Sequence, residues 1–116
     1  MTAVTVTATG YQIFQQTRTG VFVPCFQSDS PGIAVEAFLR QSPAFEGGEV
    51  RLWNRRQQRL SAAVKWTFDR TVNGFRARQR VNVFYDRRLA ELAREIQVRE
   101  FLREVLRQEM AMTYVN

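Results

Sequence analysis

The chain has 116 residues, 45% of them hydrophobic and fourteen aromatic, which suits a single domain over 1–116 and excludes a chain too polar to fold. One cysteine, Cys25, rules out an intramolecular disulfide, and the lack of any histidine removes the commonest metal ligand and general base together. A net charge of +6, from sixteen arginines and one lysine against eleven acids, favours anionic partners.

Val4, Val6 and Ala8 alternate with Thr5, Thr7 and Thr9 up to Gly10. This is a strand pattern, without the basic and apolar regions of a secretory signal. The longest apolar run, Val21 to Phe26, is far short of the roughly 18 residues of a membrane span, so a cytoplasmic chain with no membrane contact is expected. Tyr11 to Thr17 and Val21 to Gln27 flank Arg18-Thr19-Gly20 as a bent hairpin. Pro24 cannot donate to a strand ladder, so the second strand belongs at a sheet edge. Cys25 sits in this apolar strand with no histidine to ionise it and reads as a core residue, not a nucleophile.

Ser30-Pro31 reads as a helix N-cap and first position, and Ile33, Ala34, Ala37 and Phe38 follow at helical spacing with Glu36 and Arg40 paired outside. Pro43 ends this helix near Gln41. Val50 and Leu52 then alternate with Arg51 and Trp53, and a polar turn, Asn54 to Gln58, leads into a hairpin from Leu60 to Tyr85. Asn73-Gly74 is the preferred pair for a two-residue type I′ turn. That turn puts Phe75 opposite Val72, Ala77 opposite Arg70, Gln79 opposite Phe68, Val81 opposite Trp66 and Val83 opposite Val64 on one largely apolar face. The other face pairs Arg76 with Thr71, Arg78 with Asp69, Arg80 with Thr67 and Asn82 with Lys65.

Asp86 is a good N-cap for the last helix, in which Leu89, Leu92, Ala93 and Ile96 form an apolar stripe. Val98, Phe101, Leu102, Val105 and Leu106 centre on nearly the opposite side. Either the helix breaks near Gln97 or its second half packs on something else; Phe101, Leu102, Val105 and Leu106 are then the expected surface of a homodimer. The order β-β-α-β-β-β-α defines an α+β fold: an N-terminal β-hairpin, a helix, a three-stranded antiparallel sheet and a long C-terminal helix, with the helices packed on one sheet face.

The six glycines match neither the Walker nor the dinucleotide spacing, so no nucleotide cofactor is expected. The carboxylates Glu46, Glu49 and Asp69 form no ligand pattern, so neither a metal site nor a catalytic site is expected. Charge is segregated: residues 49–88 hold eleven basic and three acidic side chains, +8, while 1–48 and 89–116 each carry −1. Arg51, Lys65, Arg76, Arg78 and Arg80 are expected on the sheet face opposite the apolar one with Trp53 and Phe84 among them, and Arg87 and Arg88 at the start of the last helix. Arginines that grip phosphates, with aromatics that stack on bases, imply a nucleic-acid-binding protein, for DNA or RNA. The competing expectation is a protein-interaction regulator or inhibitor, of the compact kind phages and plasmids carry, acting through the C-terminal helix or a sheet edge. Genome-wide arginine bias on an ordinary solvated face is the plainest account of the same residues.

From Ser30 onward the order α-β-β-β-α resembles that of the double-stranded-RNA-binding domain. Arg87-Arg88 before Leu89-Ala90 stand where that family's basic residues contact phosphates. Asn54 to Gln58 lacks its Gly-Pro-x-His loop, so the resemblance is of topology alone.

Overall fold

A computed structural model describes residues 10–72 and 75–113, the side chains of 67–72, 75–78 and Thr113 excepted. The elements are β1 (Tyr11–Gln16), β2 (Phe22–Ser28), α1 (Pro31–Arg40), β3 (Glu49–Asn54), β4 (Arg59–Val72), β5 (Phe75–Phe84) and α2 (Arg87–Thr113). The α+β order is the expected one, but the sheet has five strands, not three. The N-terminal hairpin lies in the sheet plane because β1 pairs with β3, giving the antiparallel order β2-β1-β3-β4-β5. Strand readings before Gly10 and the Asn73-Gly74 turn itself fall outside the described residues.

Pro24 does lie on an edge strand, where its missing N–H costs nothing. Ile13 pairs with Phe26 and Phe14 with Pro24, leaving Cys25 as the extra residue of a bulge. Cys25 is therefore exposed and not part of the core, because the bulge releases it from strand alternation. Its thiol makes a weak hydrogen bond to the Ile13 carbonyl at 3.5 Å, and partial burial pushes its pKa up.

Both helices cover one face of the sheet. The Ser30 hydroxyl accepts from the Ile33 N–H at 3.3 Å, and Pro31 fills the first helical position, so α1 starts where the sequence places it. Asp86 Oδ1 accepts from the N–H groups of Arg88 and Leu89 at 3.0 and 3.4 Å, capping α2 in the same way. Ile13, Val50, Leu52, Ala62 and Val64 of the sheet close against Ala34, Val35 and Phe38 of α1 and Leu89, Ala93 and Ile96 of α2. Phe38 also meets Phe84 edge-to-face, centroids 5.7 Å apart.

Two elements outrun this core. Strand β3 pairs with β4 only from Arg59 to Lys65, so 66–72 pair with β5 alone and leave the sheet as a two-stranded ribbon. Helix α2 runs unbroken through Gln97 to Thr113, about 40 Å at 1.5 Å per residue, and the buried residues among them end at Ile96. The Cα trace spans 72 × 37 × 22 Å.

The β4–β5 register follows expectation only near the turn. Val72 faces Phe75, Thr71 faces Arg76 and Arg70 faces Ala77, but Thr67 then faces Gln79 and Trp66 faces Arg80. Two residues, Phe68 and Asp69, oppose the single Arg78. This bulge slips every later pair by one and exchanges the faces of β5 from Gln79 onward relative to β4. Asn82 and Phe84 consequently pair with Val64 and Ala62 on the helix side, and Val81 and Val83 with Lys65 and Ala63 on the other.

Candidate nucleic-acid interface

Strand alternation places Gln12 and Phe14 of β1, Glu49, Arg51 and Trp53 of β3, Ala63 and Lys65 of β4, and Val81 and Val83 of β5 on the face opposite the helices. Register brings them together: Gln12 faces Trp53, Phe14 faces Arg51, and Glu49 faces Lys65. Phe22 joins from the edge strand. Gln12, Phe14, Phe22, Arg51 and Trp53 line an open depression of about 240 Å³. The Arg51 guanidinium lies over the Phe22 ring, 3.9 Å from its centroid, so its planar ion is held by stacking as well as by charge. All three aromatics are half-buried and retain exposed surface.

One carboxylate offsets this positive face. Glu49 accepts from Arg51 Nε and Nη2 at 3.2 and 3.4 Å and lies 3.7 Å from the Lys65 ammonium. Its side chain is only 12% exposed, against 42% for Arg51 and 60% for Lys65, so the cations reach further into solvent than the carboxylate between them.

Of the expected set, Arg51, Trp53 and Lys65 share this face. Arg80 does not, because the register slip turns it, like Phe84, towards the helices. There it donates to the Phe38 carbonyl at 3.0 Å, to Asn82 at 2.9 Å and to Ser42 at 3.4 Å, and burial pushes its pKa down. The side chains of Arg76 and Arg78 lie outside the described ones; their backbones belong to the ribbon. Arg87 and Arg88 stand on the helix side of the sheet and so do not extend the Trp53 face. Arg87 pairs with Glu91 at 3.7 Å, while Arg88 and Arg56 line a second depression of about 270 Å³ with Tyr11, Asp29, Asn54 and Gln57. Among the described side chains, Arg51 and Lys65 therefore form one basic surface on the helix-free side of the sheet and Arg88 and Arg56 a second near the start of α2, with Arg55 on the β3–β4 turn.

Phe14, Phe22 and Gln12 were not among the expected site residues. The alternation of Gln12, Phe14 and Gln16 gives a visible signal for a polar-sided strand with one aromatic, but its meaning depends on β1 lying beside β3, a pairing between residues 35 or more positions apart. Among the described residues, no group of three or more His, Cys, Asp or Glu side chains is placed to hold a metal ion, and no helix is long and apolar enough to cross a membrane. No protein-family model, curated protein or solved structure matches the chain.

Proposed function

We propose that this chain binds single-stranded nucleic acid on the helix-free face of its sheet. The observation that carries the reading is the open depression in which Phe14, Phe22 and Trp53 surround an arginine already stacked on an aromatic ring. Unpaired bases offer flat π-faces to such a platform, and Arg51 and Lys65 on the same face offer cations to the phosphates that accompany them. A duplex hides its base faces, so only its backbone charge would be attracted here. The second basic surface, around Arg56 and Arg88, offers further phosphate contacts where a strand passes the end of the sheet.

Titration of labelled single-stranded and duplex oligonucleotides at several salt concentrations tests this reading. Trp53→Ala and Phe14→Ala should each weaken single-strand binding by about 1–3 kcal/mol, the usual worth of one stacked base. Duplex affinity should hardly change. Equal affinity of both variants and the parent for single strands would overturn the proposal.

A second reading, a protein-interaction module, has its own observation in the exposed apolar residues of the distal half of α2. Binding of that kind resists salt and is lost when the apolar residues change, the reverse of phosphate binding.

A further inference from the structure

Among the described residues, none of helix α2 beyond Ile96 is buried. Val98, Phe101, Leu102, Leu106, Met110 and Met112 are 52% to 74% exposed. At 100° per residue all but Met110 fall in one stripe with the half-exposed Val105, on the side opposite Leu89, Ala93 and Ile96. A helical segment of this length standing free is marginal in water, so the stripe asks for a cover.

Charge narrows what that cover is. Residues 94–109 hold four arginines and four glutamates, net zero, so the whole +6 of the chain resides elsewhere. Nucleic acid is drawn to the body and not to this segment, whereas two copies of the segment meet without net repulsion. Size agrees: two such stripes laid together would cover on the order of 1,000 Å² in total, near the lower bound of specific interfaces. We propose that α2 of one copy packs along α2 of a second copy from Val98 to Met112, forming a homodimer. The contact lies away from the Phe14–Trp53 depression, so it stands whether or not that depression binds bases. If it does, each dimer carries two platforms and one strand can engage both.

Sedimentation equilibrium over a wide concentration range tests the pairing. The parent should pass from 13.5 kDa to twice that mass as concentration rises, and Leu102→Glu combined with Leu106→Glu should stay at 13.5 kDa with its near-UV circular dichroism kept. A parent that remains monomeric throughout overturns the proposal, and so does a doubly substituted chain that still dimerises. As a check independent of the glutamates, a spin label on Gln108→Cys in a Cys25→Ser background should show dipolar coupling that disappears on dilution with unlabelled chain. Coupling that never appears counts against the pairing.

Discussion

Arg80 sits at the C-terminal end of α1, where the Phe38 carbonyl and the negative end of the helix dipole favour a cation. Its guanidinium thus ties β5 to α1 and is not available to a ligand on the far face. Arg80→Ala should lower stability in urea unfolding by about 1–3 kcal/mol, as expected for lost charged hydrogen bonds, while oligonucleotide affinity and its salt slope stay unchanged. Glu49 makes the opposite case: it holds Arg51 and Lys65 and partly cancels them. Glu49→Gln should strengthen single-strand binding by up to about tenfold and steepen its salt dependence by close to one phosphate contact, at a stability cost of about 1–3 kcal/mol, since this largely buried carboxylate loses its charged hydrogen bonds to Arg51. Cys25 is exposed, yet partial burial disfavours its thiolate. Iodoacetamide should alkylate it more slowly at neutral pH than it does an unstructured cysteine, and urea should abolish the difference.

At the scale of elements, caps and patterns carry most of the information. Ser30→Ala should cost about 1 kcal/mol through the lost cap to Ile33, and Phe38→Ala about 3–5 kcal/mol, since that ring is wholly buried between α1, β5 and the sheet. Thermal and urea unfolding check both. Those same features are local in the chain, which is why the order of strands and helices, both N-caps and the edge position of Pro24 can be read from the residues alone. The bulge at Phe68–Asp69 cannot be read in that way. A two-residue turn propagates its register only while each residue has one partner, and nothing in the sequence announces that Arg78 has two opposite it. That single extra residue moved Arg80 off the expected site and put Val81 and Val83 on the open face. Trp53, Arg51 and Lys65 kept their places because β3 alternates without interruption up to Trp53. Phe14 and Phe22 entered the site through the pairing of β1 with β3, a long-range contact that local patterns do not encode.

Taken whole, the molecule separates its chemistry by position: aromatics and cations on one sheet face, arginines at one sheet end, and a neutral apolar-striped helix leading away. The radius of gyration is 18.1 Å, against about 13 Å for a compact chain near this length. The long axis of 72 Å, about twice the next, is a matter of hydrodynamics as much as of architecture. A body of that shape drags more solvent than a sphere of equal mass, so its diffusion is slow and its fluorescence anisotropy decays slowly. On a gel-filtration column calibrated with globular standards, even a lone copy should elute early, at the apparent mass of a pair. Elution volume therefore carries no weight on stoichiometry here, and a dimer should announce itself instead by a step in light-scattering mass at a concentration where the elution peak moves comparatively little.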